Sequence, residues 1–166
     1  MRCLTVDSPS GLFLVGRSMI PTHNTSWLVG TPIRQQYKTI IFRREYTEFR
    51  GIDTQISAIV GDLGRWHGKY RTWHLPGGRT LRYGAAKSDQ DCRGFRGDPH
   101  DCYAFDELTE WPMSQFVFLT GWNRTNRPNQ RCRIITTFNP PTTSEGQWVI
   151  ERYGPWIEPG HPSPAK

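Results

Sequence analysis

The sequence predicts an α/β fold, a sheet with flanking helices and a β-hairpin, and three observations carry that prediction. First, two short apolar runs end abruptly in polar residues: Tyr103, Ala104 and Phe105 run into Asp106 and Glu107, and Ile134, Ile135 and Phe138 run into Asn139 and two prolines. Buried parallel strands read this way, because they are apolar on both faces and deliver polar side chains to the carboxyl edge of the sheet, where open α/β sheets bind ligands. Second, the β-branched run KTIIFRREY is followed by GIDTQISAIVGDLG, in which Ile52, Ile56, Ile59, Val60 and Leu63 recur at helical spacing. Third, the chain has 166 residues, of which 36% are hydrophobic, with 16 Gly and 13 Pro. That suits one loop-rich domain with a real core.

Taken in order, Met1 to Asn24 contains the runs Leu4 to Val6 and Leu12 to Val15 around the turn-forming DSPSG, a strand-turn-strand pattern. TSWLVGTPIRQQYK then predicts a short helix, weakened by Pro32 within it. The strand over KTIIFRREY and the helix ending near Gly64 come next. YRTWHLPGGRTLRYG predicts two extended runs around Pro76, Gly77 and Gly78, a β-hairpin. KSDQDCRGFRGDPHD is expected as a polar connection into the strand that ends at Asp106. A helix over Met113 to Thr120 and the strand ending before Asn139 complete the body, and the Pro-rich tail GPWIEPGHPSPAK predicts no folded element.

No stretch approaches the roughly 18 apolar residues of a membrane span, and Leu12 to Val15 is too short for the core of a signal peptide, so a soluble intracellular protein is expected. Cys3, Cys92, Cys102 and Cys132 are scattered, without the pairing that zinc or a disulfide framework needs. The formal charge is +6, and no acidic residue lies between Trp111 and Ser144 while Arg124, Arg127, Arg131 and Arg133 accumulate. A positive patch suited to phosphate or nucleic acid is therefore expected beside Asp106 and Glu107.

Two groups of residues carry chemistry. Adjacent carboxylates at a strand end suit metal-nucleotide hydrolysis, the first holding Mg²⁺ through its water shell and the second orienting and deprotonating water, which is the Walker B arrangement. An ordinary strand running into a solvated turn has the same local pattern. The second group is His23, Asn24 and Thr25. An Asn amide can attack its own carbonyl and cut the chain after itself, a preceding His can polarise that carbonyl, and a following hydroxyl can accept an acyl group. As a plain structural residue, Thr25 would be a helix N-cap.

VDSPSGLFLVG and SMIPTHN followed by Thr resemble the last two splicing blocks of a Hint-type intein. The resemblance implies that Asn24 cyclises with help from His23 and that Thr25 begins the downstream extein. From Thr25 onward, IIFRREYTEFRG, WHLPGGRTLRYGAA, DQDCRGFRGDPHDCYAFDELTEW and RIITTFNPP followed by QWVIERY resemble the ATPase domain of the large terminase subunit of tailed double-stranded DNA phages. That implies a partial P-loop NTPase sheet of the RecA/ASCE type over residues 25–166, preceded by an intein C-terminal fragment over residues 1–24. It further implies ATP and Mg²⁺ as cofactors, Asp106 as magnesium ligand and Glu107 as catalytic carboxylate. Asn139 would sense the γ-phosphate, Thr25 would be the Mg²⁺-ligating P-loop hydroxyl, and Arg79, Arg82, Arg93 or Arg96 would be the arginine finger. Arg124, Arg127 and Arg131 would contact DNA or phosphate. The implied partners are double-stranded DNA, the small terminase subunit, the portal protein, further copies in a ring and an upstream intein and terminase half, in the bacterial host cytoplasm during phage assembly and with no membrane.

The pattern departs from the family in one respect: a P-loop needs GxxxxGK[ST], and no Lys lies between Met1 and Asn24. An intein inserted between the Lys and the Thr of a terminase P-loop accounts for this, and leads to the expectation of a downstream piece, either a split-intein half or a fragment of a longer reading frame. No counterpart of the family's nuclease domain is expected in the residues after Trp156, and little ATP hydrolysis is expected of the chain by itself. Two other classes compete with the motor: a self-processing element with a passenger, and a nucleic-acid-binding protein gripping phosphates and stacking bases with Arg and Trp.

Overall fold

The computed structural model describes residues 13–15, 20–22 and 24–157, with side chains over 25–154. Two short strands, β1 (Phe13–Val15) and β2 (Ile20–Thr22), pair antiparallel, with Leu14 opposite Pro21. The expected strand over Leu12 to Val15 is thus present as β1, while Leu4 to Val6 and His23 lie outside the described residues. Helix α1 (Asn24–Gln35) holds Pro32 inside it, and Gln36 N still donates to the Pro32 carbonyl at 2.9 Å, so the helical ladder continues past the proline.

The body is a six-stranded sheet. Strand β3 (Lys38–Arg43) leads through a 3₁₀ turn at Tyr46–Phe49 into α2 (Arg50–Val60). Then come β4 (Arg65–His67), β5 (Thr72–Leu75) and β6 (Arg79–Ala85), followed by α3 (Asp89–Arg93) and β7 (Cys102–Phe105). A 3₁₀ turn at Leu108–Glu110, α4 (Met113–Thr120), β8 (Arg133–Thr136) and α5 (Gln147–Ile157) complete it. The strand order is β4-β5-β6-β3-β7-β8. Strands β6, β3, β7 and β8 are mutually parallel, and β5 and β4 add antiparallel on one side.

Alternation along the parallel strands sorts the core into two layers. Ile41, Cys102, Ala104 and Ile135 face a core completed by Leu28 and Val29 of α1 and by Ile52, Ile56 and Val60 of α2. Ile40, Phe42, Tyr103 and Phe105 face the opposite core, with Cys92 of α3, Phe116 and Leu119 of α4, Val149 of α5 and the fully buried Trp111. Helices therefore cover both faces, as a parallel sheet requires. No described helix is long and apolar enough to cross a membrane.

The hairpin turns at Pro76, Gly77 and Gly78, where φ is 75° at Gly77 and 72° at Gly78, a left-handed conformation that glycine adopts without steric cost. Three local expectations are corrected. The second helix stops at Val60, one 3₁₀ turn before Gly64, whose position beside Val60 and Trp73 has no room for a Cβ. The polar connection contains α3, whose start is a capping box between Ser88 and Asp91 that was present in the sequence as a signal. The tail expected to be without structure begins inside α5, which runs to Ile157.

Candidate functional site

Because β3, β7 and β8 are parallel, all three end at the same edge of the sheet, and that edge gathers Arg43, Asp106, Glu107, Thr137 and Asn139. Asp106 continues the line of β7: its N–H donates to the Phe42 carbonyl at 3.1 Å. Thr137 likewise continues β8, donating from its backbone N–H to the Phe105 carbonyl and accepting from Leu108 N, both at 2.9 Å. Asp106 is only 1% exposed. Its Oδ1 accepts from the Thr137 hydroxyl at 2.6 Å. Its Oδ2 accepts from Arg43 Nε at 2.9 Å and also from Arg43 Nη2.

At Glu107 the backbone leaves the strand. Its φ of 51° and ψ of 53° are left-handed, a strained conformation for a residue with a Cβ, and they start the 3₁₀ turn that follows. The half-buried carboxylate accepts from Asn139 Nδ2, at 3.3 Å on one oxygen and 3.2 Å on the other. Burial, with the neighbouring Asp106 carboxylate, raises the Glu107 pKa above its usual value, and Arg43 and Asn139 oppose that rise. A carboxylate raised in this way is a better proton acceptor than a free one.

The layer behind these residues is aromatic and tight. Phe42 stacks on Phe105 with centroids 5.1 Å apart, and Trp111 meets Phe105 edge-on at 5.3 Å. The Trp111 carbonyl accepts from Trp148 of α5 at 2.8 Å, and Arg44 lies over the Trp111 ring at 4.8 Å. Arg44 also donates to Gln115 at 2.6 Å and to the Lys87 carbonyl, so it braces α4 and the approach to α3 while its neighbour Arg43 turns to the carboxylates.

Sequence reasoning placed Asp106, Glu107 and Asn139 together, and the structure brings them together. Arg43 and Thr137 were missed, although both stand next to the carboxyl end of an apolar run, the same signal that singled out Asp106. Thr25 is half-buried in the first turn of α1. The last turn of that helix is held at the amino edge, where Arg79 donates to the Ile33 carbonyl at 2.9 Å and the Arg34 carbonyl at 3.1 Å. Twelve residues of α-helix span about 18 Å, which carries Thr25 along the sheet toward the carboxyl edge. Asn24 opens α1, and its side chain lies outside the described residues.

The basic segment is not beside the carboxylates, and that expectation is corrected. Arg124 N donates to the His100 carbonyl at 3.0 Å and Arg133 N to the Asp101 carbonyl at 2.8 Å, which puts both at the amino end of β7. Arg127 lies 3.8 Å over the Tyr37 ring, at the amino end of β3. A strand as long as β7 separates the two edges by about 13 Å. The physical reason is connectivity: the segment from α4 enters β8, and in a parallel sheet strands are entered at the edge opposite the one they leave by. Arg124, Arg127 and Arg131 are exposed there, near a cleft of about 550 Å³ lined in part by Ile33, Tyr37, Arg79, Arg127 and Gln130. At this edge buried Asp101 accepts from the backbone N–H of Tyr37 at 2.9 Å and of Lys38 at 3.0 Å. Of the four candidate arginine fingers, Arg79 is occupied with α1 and Arg82 is paired with Asp98, while Arg93 and Arg96 are exposed.

As arranged, these residues do not fit a divalent ion. Both oxygens of Asp106 already hold protein donors, one of them a guanidinium, and no cluster of three His, Cys, Asp or Glu suited to a metal occurs among the described residues. Mg²⁺ needs at least one carboxylate oxygen open to it and its waters.

No protein-family model matches the chain, and no curated protein matches it in sequence. Among solved structures it is similar to the large terminase of a thermophilic bacteriophage, with a TM-score of 0.50 and 16% identity. The match covers 64% of this chain and 27% of the phage protein, so the chain spans roughly a quarter of that protein's length. The chain thus has a mixed α/β fold similar to part of a phage large terminase.

Proposed function

We propose that this chain is part of the ATPase of a phage DNA-packaging motor, hydrolysing ATP to drive DNA translocation once joined to an upstream segment that supplies the phosphate-cradling loop. The observation that carries the reading is the meeting of Asp106, Glu107 and Asn139 at the carboxyl edge of a parallel sheet whose fold is similar to part of a large terminase. In that role Glu107 orients and deprotonates the attacking water, and its raised pKa suits the task. Asn139, bonded to both Glu107 oxygens, is positioned to report to Glu107 what binds at the edge. DNA is assigned to the opposite edge, through Arg124, Arg127 and Arg131, which separates nucleotide from nucleic acid by the length of the strands.

Residues 1–24 are assigned to the end of an intein, with the antiparallel pair β1 and β2 directly before Asn24 and Thr25 in support. Splicing would then deliver Thr25, at the start of α1, as the last residue of the loop. The test is ligation to an upstream half that carries a GxxxxGK segment. The joined protein is expected to hydrolyse ATP, and Glu107→Gln is expected to lower kcat by roughly 100-fold or more, the typical contribution of a positioned base. A joined, folded protein with no ATPase activity overturns the reading, as does activity that Glu107→Gln leaves intact.

A further inference from the structure

Arg43 stands at the end of β3, one residue beyond the Phe42 and Phe105 pair that closes the register with β7. It is therefore level with Asp106, and it places two N–H groups on a single carboxylate oxygen, Nε at 2.9 Å and Nη2 beside it. The other oxygen is occupied by the Thr137 hydroxyl at 2.6 Å. Asp106 is 1% exposed and the Arg43 side chain 20%, so the charge balance of this carboxylate is set by the protein and not by water. A buried carboxylate without a cation is costly, and a carboxylate oxygen cannot hold a guanidinium and a divalent ion together without strong repulsion between them.

Arg44, the other arginine of the pair, is not interchangeable with it. It is committed to Gln115, the Lys87 carbonyl and the Trp111 face, where it braces the helices. Among the described residues, Arg43 by contrast has its ion pair with Asp106, and its side chain is partly exposed.

We propose that Arg43 is a resident cation plug: it occupies the position on Asp106 that a divalent ion would take and neutralises the carboxylate in its place, so that the site as arranged does not accept the ion. The proposal rests on the reading of Asp106 as a metal-binding carboxylate. It makes Arg43 a positioning residue, acting through Asp106, and it predicts that the chain by itself binds divalent ions poorly.

The test is titration of the full chain with Mn²⁺, followed by the loss of the free-ion EPR signal, for wild type, Arg43→Gln, Asp106→Asn and the double variant, each checked for folding by circular dichroism. Arg43→Gln is expected to bind Mn²⁺ at least ten-fold more tightly than wild type, and the gain is expected to vanish in the double variant. If wild type and Arg43→Gln bind equally well and Asp106→Asn abolishes binding, the plug is overturned while Asp106 stands as a metal ligand. If neither folded protein binds Mn²⁺ through Asp106, both the plug and the metal reading fall. Should Arg43→Gln not fold, NMR of the Arg43 Nε–H group in wild type decides the matter. Its signal is expected to stay in place as Mg²⁺ is added, and a signal that moves or disappears in step with added Mg²⁺ overturns the proposal.

Discussion

Replacing Thr137 with Val removes one atom's worth of chemistry from the centre of the site. The side chain keeps its β-branched shape, which suits the extended backbone leaving β8, and at 6% exposure it gains no new contact with water. What is lost is the 2.6 Å bond to Asp106 Oδ1, and with it the same hydroxyl's longer 3.5 Å approach to the Phe105 carbonyl. A hydrogen bond to a charged group contributes about 1.5–3 kcal/mol, and here the carboxylate oxygen left behind is buried. In a chain of this size each kcal/mol shifts the melting temperature by roughly 2–4 °C, so a fall of about 3–12 °C is expected. The assay is urea and thermal unfolding followed by Trp fluorescence, with Thr137→Ser as the control. Serine keeps the hydroxyl and loses only a methyl, at a cost of about 1 kcal/mol. The reasoning is refuted if Thr137→Val costs less than about 0.5 kcal/mol, or if serine is as damaging as valine.

Three further outcomes follow from the geometry. Glu107 has a native pKa raised from the ordinary 4.5, so the native state holds this proton more tightly than the unfolded chain does. Stability from this group is therefore greatest below the unfolded value and declines as pH rises through the raised native value. Glu107→Gln removes the decline and is expected to be more stable than wild type at pH 7, but not at pH 4, in urea titrations; equal stability at pH 7 contradicts this. Gly146 lies against the turn that follows Glu107, where an added Cβ would come 2.5 Å from the Thr109 carbonyl oxygen and 2.8 Å from Pro141 Cβ. Gly146→Ala should cost about 1–3 kcal/mol by overpacking, read as a lowered urea midpoint, and an unchanged midpoint would show that α5 can shift freely. On the DNA role proposed for this edge, Arg124→Glu combined with Arg127→Glu should weaken association with double-stranded DNA and reduce the slope of log affinity against log salt by roughly 2, one per phosphate contact. An unchanged slope removes these residues from the DNA surface.

The two edges of the sheet differ in how far each could be foreseen. Asp106, Glu107 and Asn139 were legible because their signal is local: an apolar run says where a strand ends, and parallel strands share an end. Arg43 carries the same local signal, at the end of KTIIFR, yet nothing within its own segment says whether a guanidinium there is solvated or bonded to a carboxylate 63 positions away. Thr137 reads as one more β-branched strand residue until β8 is set beside β7. The arginines of the segment between α4 and β8 were visible as charge, and their edge was not, because that depends on the direction in which the sheet is crossed.

The sequence by itself determined β3, β7, β8, the β5–β6 hairpin, α1, α2 and α4, and the alternation that sorts Ile40 and Phe42 from Ile41, since these follow from periodicity over a few residues, while β4, α3 and α5 were not foreseen. It also placed Asp106 and Glu107 at the carboxyl end of a strand, where the sheet brings Asn139 to them. Strand order, the pairing of Arg43 and Thr137 with Asp106, and the removal of the basic surface to the far edge were decided only by the tertiary structure. Each of these depends on contacts between residues distant in the chain, whose free energy exists only when the whole sheet has assembled.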